Sequence, residues 1–176
     1  MSGHNKWSKI KRKKGAEDAK KSKIFSKMSR LITAESKRVN GDANSPGLAT
    51  IIETAKKENM PKDTIERAVK KGTESGTIAM DAITYEAYGP GGVAIIIEAL
   101  TDNKNRTAPE LRHLLSKRGL ELATPGAAVW AFTKQGTGWT PNQTMDLSDE
   151  DLEALSELVD ALEDNDDVQE VFTNAE

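Results

Sequence analysis

Gly89-Pro90-Gly91-Gly92-Val93-Ala94-Ile95-Ile96-Ile97-Glu98-Ala99-Leu100-Thr101 carries the strongest structural signal in the chain. Val93–Ile97 is apolar on both faces, the mark of a strand with neighbours on either side rather than one washed by solvent. The glycines before it supply the positive φ of a turn, and Thr84–Tyr88 reads as the strand entering that turn. Downstream, Thr107-Ala108-Pro109-Glu110 reads as a capping box with Pro near the helix start, and Leu111, Leu114 and Leu115 give the helix its inner face. Gly119 ends it. Ala128–Thr133 reads as a strand, and turn residues at Gly136, Gly138, Pro141 and Asn142 surround another near Trp139. Ser148-Asp149-Glu150-Asp151 caps a last helix with the stripe Leu152, Leu155, Leu158, Val159 and Leu162, and Val168–Thr173 closes the chain as a strand. From residue 93 the order is strand, helix, strand, strand, helix, strand. That is the split βαβ or ferredoxin-like arrangement, two helices on one face of an antiparallel sheet.

Upstream the pattern is helical. Ile24, Phe25, Met28, Leu31 and Ile32 fall on one face between about Ala16 and Val39, and Asn40-Gly41 supplies a left-handed stop. Ser45 and Pro46 open a second helix with Leu48, Ile51, Ile52 and Ala55 inward. Pro61 opens a third, with Ile65, Ala68 and Val69 inward and Gly72 as its end. The fold class predicted is therefore α+β: a basic flexible arm over 1–15, a three-helix bundle over 16–72, a linker over 73–82 and a ferredoxin-like domain over 83–176.

The 176 residues carry a net charge of only −3, which conceals a polarity. Residues 1–38 hold thirteen Lys or Arg against three acids, net +10; residues 39–78 balance; residues 79–176 net −13. Charge divided in this way points to polyanion binding at the basic end. The absence of cysteine removes disulfides, thiolate metal sites and thiol nucleophiles together. His4 and His113 fall in different expected domains, so no metal cage is expected, and no catalytic set emerges. Glu163-Asp164-Asn165-Asp166-Asp167 lacks the glycine and terminal Glu of a calcium loop and reads as a helix end. No cofactor is implied. No apolar run approaches bilayer length and no secretory signal is present, so a cytoplasmic address is expected.

The densest cationic stretch is Gly3-His4-Asn5-Lys6-Trp7-Ser8-Lys9-Ile10-Lys11-Arg12-Lys13-Lys14. Phosphates attract such clusters, released counterions drive association, and a Trp among the cations offers a face for base stacking. Lys20, Lys23, Lys27 and Arg30 recur at three- and four-residue spacing, forming a phosphate-facing stripe along the first helix. Gly89–Gly92 lacks the Lys-Ser/Thr ending of a phosphate loop and reads as a structural turn. Asp102-Asn103-Lys104-Asn105-Arg106-Thr107 lies before a helix N-terminus. Two readings stay open there: an anion site assisted by Arg106, or a plain capped connection.

These segments resemble a known family. Gly3–Lys11, Lys23-Ile24-Phe25, Asn59-Met60-Pro61-Lys62-Asp63-Thr64-Ile65, Tyr85–Gly92, Asp102–Thr107 and Leu162–Gln169 are all similar to the YebC/TACO1 family, in order over almost the whole chain. The resemblance implies an N-terminal helical domain joined to α/β domains and a role in gene expression. Two roles are implied: DNA-binding transcriptional regulation, or a translation factor on the ribosome that helps synthesis through difficult stretches such as consecutive prolines. Family members carry a third domain between the segment matching Ala131–Lys134 and the one leading into the final helix. Here only about 136–146 lies between, so a two-domain short form is expected.

The leading expectation is a monomeric factor bound to rRNA on the ribosome, in which arm and first helix grip phosphates and Trp7 stacks. Ribosomal proteins are then further partners. A DNA-binding regulator using the same surface comes second. Against it, the third helix carries Lys62, Arg67, Lys70 and Lys71 but no base-reading set. A protein adaptor working through the acidic domain comes third.

Overall fold

The computed structural model describes residues 6–13 and 17–176, and side chains over 6–10 and from 20 onward. The chain divides into two compact units, one of residues 15–80 and one of residues 1–14 with 81–176. The second unit is therefore discontinuous in sequence, and the first is inserted into it.

The 15–80 unit holds α2 (Glu17–Arg38), α3 (Pro46–Lys57) and α4 (Lys62–Thr73), numbered after the short α1 (Lys6–Lys13) of the other unit. Ile32, Leu48, Ala55, Met60, Ile65 and Ala68 form its core, with Phe25 and Met28 packed against them. Asn40 (φ 52°) and Gly41 (φ 77°) stop α2, as their left-handed preference predicts. α3 ends on a Schellman motif: Met60 N–H donates to the Ala55 carbonyl, Asn59 N–H to that of Lys56, and Asn59 takes φ 61°. Between α2 and α4 the contact is close and polar. Thr33 Oγ1 donates to the Ala68 carbonyl at 3.1 Å, and Ser36 Oγ to that of Val69 at 2.6 Å. Gly72 does not end its helix as expected but lies within it. A Cβ there would stand 2.6 Å from Ser36 Cβ and 2.7 Å from the Thr33 carbonyl oxygen, so glycine is needed for the approach of the two helices.

The other unit is built on a four-stranded sheet of order β3-β1-β2-β6, from β1 (Asp81–Tyr88), β2 (Ala94–Thr101), β3 (Leu122–Ala123) and β6 (Val168–Thr173), every adjacent pair antiparallel. β2 is interior and buried along nearly its whole length, as its two-sided apolarity requires. The turn before it pairs Tyr88 with Ala94, and Gly91 sits at φ 68° where its Cβ would strike Leu147. α5 (Lys104–Ser116) and α6 (Asp149–Asp164) cover one face, packing Leu111, Leu115, Leu152, Leu155, Leu158 and Leu162 against Ile95 and Ile97.

The α+β class and the helices preceding the sheet are as expected, and so is the split βαβ relation. β2 and β3 run parallel, joined through α5, with β1 between them. The expected strand assignment needs correction. Ala128–Thr133 and the Trp139 region do not enter the main sheet. They make a separate ribbon, β4 (Phe132–Gln135) with β5 (Gly138–Pro141), and Ala128, Ala131 and Phe132 cover the other sheet face at Ala94 and Ile96. β1 and the short β3 take the two sheet positions instead, β1 because the Gly89–Gly92 turn folds it directly onto β2. Helix α5 also starts earlier than Thr107. Asn103 caps it, accepting from Asn105 N–H, and Pro109 lies inside.

Candidate nucleic-acid interface

The cations of the basic N-terminal third are divided between the two units. In α1, Trp7 and Ile10 stand three residues apart and so share a helix face. Trp7 is only 9% exposed and joins the core of the α/β unit with Leu152, Leu155 and Leu158 of α6, and Ile10 packs against that core. Lys6 Nζ stands 3.6 Å from Asp149 Oδ1, in the acidic first turn of α6. Two expectations are thereby corrected. Over Lys6–Lys13 the arm is a helix, and Trp7 is no stacking platform, because its large apolar ring is worth more inside a core than exposed beside phosphates. Lys6 and Lys9 remain exposed. Lys11, Arg12 and Lys13 lie on α1 with side chains outside the described set, and His4 and Lys14 lie outside the described residues.

On α2, Lys20 is exposed and Lys23, Lys27 and Arg30 are half-buried, a stripe nearly three turns long at ~3.6 residues per turn, beside the Phe25–Met28–Ile32 face. Facing this helix, α4 carries Lys62, Arg67, Lys70 and Lys71. Lys62 pairs with Glu66 at 3.7 Å and Arg67 with Asp63 at 3.4 Å, both exposed i,i+4 pairs of the kind that contributes about 0.3–0.5 kcal/mol. Sequence reading gave α4 no site residue. The i, i+3, i+4, i+7 set Thr64, Arg67, Ala68, Lys71 was legible as one helix face, but not that this face turns toward α2.

Arg106 is internal in its bonding. Its Nη2 donates to Asp102 Oδ1 (2.9 Å) and to both oxygens of Asp167 (2.9 and 2.8 Å). The bond to Asp167 and then that to Asp102 push the guanidinium above its ordinary range. Asp167 is buried and also accepts from Thr107 Oγ1 at 2.7 Å. Of the two readings of this loop, the geometry supports the capped connection, with Arg106 as counter-ion to a buried carboxylate of its own unit.

The acids on the other sheet face, buried Glu86 and half-buried Glu98, are likewise structural. Glu86 accepts from the N–H groups of Gly126 (2.7 Å), Ala128 (2.9 Å) and Val129 (2.6 Å), pinning the covering segment to β1. Burial raises its pKa, and the three donors outweigh that and hold it below the ordinary value. Glu98 accepts from Trp139 Nε1 at 2.6 Å and from Thr84 Oγ1 at 3.0 Å. The solvent-facing tryptophan is Trp130, 64% exposed, with Nε1 donating to Tyr88 Oη (3.0 Å) and the Ala127 carbonyl (2.8 Å). His113 is exposed on α5. Among the described residues no group of three or more His, Asp or Glu could hold a metal ion, and no helix is long and apolar enough to cross a membrane.

Residues 5–75 match the family model described as "TACO1/YebC protein N-terminal domain". Residues 80–138 and 136–175 match that of the "TACO1/YebC second and third domain", the two pieces meeting at the β4–β5 turn. A Fervidobacterium nodosum protein named "Probable transcriptional regulatory protein" is 40% identical over 235 residues, covering 99% of this chain and 93% of that one. One of the same name from Petrotoga mobilis is 48% identical over 179 residues, covering 100% and 71%. The crystal structure of a conserved hypothetical protein from Aquifex aeolicus superposes with a TM-score of 0.80 at 30% identity, covering 93% of each chain.

Proposed function

This chain belongs to the TACO1/YebC family, and from that premise we propose that it is a non-enzymatic gene-expression factor that binds nucleic acid through backbone phosphates. The observation that carries the reading is the segregated charge: net +10 over residues 1–38, with Lys6, Lys9 and Lys20 exposed. Such cations gain affinity by releasing condensed counterions. The names of the relatives support a role in gene expression without deciding the polymer.

The finer reading is RNA of the ribosome, with the protein assisting synthesis through difficult stretches such as consecutive prolines. Backbone gripping without a base-reading helix suits folded RNA, whose deep major groove side chains do not read. Cosedimentation of the purified protein with ribosomes tests it. Retention at low salt that disappears as salt is raised is the expected result. A DNA-binding regulator is the second reading, favoured by the relatives' printed names. Sequence-selective retention of duplex DNA at physiological salt, with no ribosome association, would replace the first reading by the second.

The same premise supports reading the chain as a short form, with the β4–β5 turn standing where longer relatives carry an inserted domain. The family match divides at that turn, and the Fervidobacterium alignment runs over 235 residues against a chain of 176.

A further inference from the structure

Within the 15–80 unit, α2, α4 and the segment after α4 enclose a cleft of about 770 Å³. Its rim carries Arg30 from α2 and Arg67 and Lys71 from α4, against a single acid, Glu74. Between the cations the walls are hydroxyl-rich, with Ser29 among them, and Ile78 stands at the opening 64% exposed. Cations, hydroxyl donors and an exposed apolar surface are the three elements a nucleotide uses: phosphate, sugar and base face.

We propose that this cleft is a binding site for single-stranded nucleic acid, holding one or two nucleotides with phosphates on Arg30, Arg67 and Lys71. The proposal rests on the reading above and narrows it. Size and shape argue for a single strand over a duplex. The volume is that of a small-ligand pocket, within the usual ~300–1,000 Å³. A duplex presents its phosphates on a rigid convex surface that does not enter a concave groove between two helices, whereas a flexible strand does. The Arg67–Asp63 pair is long and solvent-exposed, so a phosphate displaces it readily. Ile78, an exposed apolar side chain lining the cleft, then covers a base or sugar.

Fluorescence anisotropy of the full chain decides the matter. The probes are a short labelled mixed-sequence single strand, as RNA and as DNA, and the corresponding duplex. Arg67→Gln with Lys71→Gln removes two rim charges. Lys56→Gln with Lys57→Gln, exposed at the end of α3, removes the same charge away from the cleft. Ser29→Trp fills the cleft without changing charge. The rim pair is expected to weaken single-strand binding by roughly tenfold or more and to reduce the salt slope by about 1.4, some 0.7 per lost phosphate contact. The α3 pair should leave the affinity much closer to that of the unaltered chain, and Ser29→Trp should follow the rim pair. Equal losses from the two charge pairs, or duplex bound tighter than single strand, overturn the cleft and leave phosphate binding standing as diffuse electrostatics. If the unaltered chain ignores every probe at low ionic strength, the proposed function itself fails.

Discussion

Arg106 Nη2 lies 2.8 Å from Asp167 Oδ2, tying the first turn of α5 to the turn before β6. The carboxylate is buried and the guanidinium part-exposed, so the pair closes one edge of the α/β unit. Removing the cation leaves a buried charge short of its main partner. Arg106→Gln is therefore expected to lower the thermal midpoint by several degrees and leave nucleic-acid affinity unchanged. Loss of affinity with an unshifted midpoint would return Arg106 to the interface.

Trp7 makes the opposite prediction from a stacking residue. Trp7→Ala opens a cavity beside Leu152 and Leu155 and should cost about 3–5 kcal/mol in urea unfolding followed by circular dichroism. A stacking residue would lose affinity and keep its stability.

Gly72→Ala forces a methyl group against the Thr33 carbonyl at 2.7 Å, where no rotamer change gives relief. Overpacking of this kind costs about 1–3 kcal/mol, measurable as a lowered urea midpoint. Alanine's better helix propensity would otherwise stabilise α4, so a raised midpoint would contradict the close approach of α2 and α4.

Glu86 gives an acid limb to stability. Its folded pKa is held below the ordinary carboxylate value, so its contribution is complete above that value and is lost as pH falls through the folded one. Glu86→Gln should flatten this part of the stability–pH curve. Glu86→Ala, leaving three N–H groups without their acceptor, should cost about 3 kcal/mol near neutral pH. A profile unchanged by Glu86→Gln would show that the carboxylate is not the titrating group.

Local signals were legible where the determinant is local. Asn40-Gly41, Pro46, Ser148 and the Val168–Thr173 strand stand as read, because capping and periodicity act within a turn or two of chain; Ser45 holds the N-cap position, but its hydroxyl makes no capping bond. Thr107 misled. Its spacing to Glu110 imitates a capping box, but its hydroxyl bonds to Asp167, sixty residues away, and Asn103 caps the helix. Trp7 misled for the same reason, since α6, which buries it, begins more than 140 positions later.

The sequence by itself determined the α+β class, the helical periods and the division of charge, because each is a property of neighbouring residues. Only the tertiary structure decided that Trp7 is core, that Arg106 serves a buried carboxylate, and that Arg67 and Lys71 face α2 across a cleft. Those outcomes depend on which surfaces meet, and burial and ion pairing between distant segments leave no periodic trace in the chain.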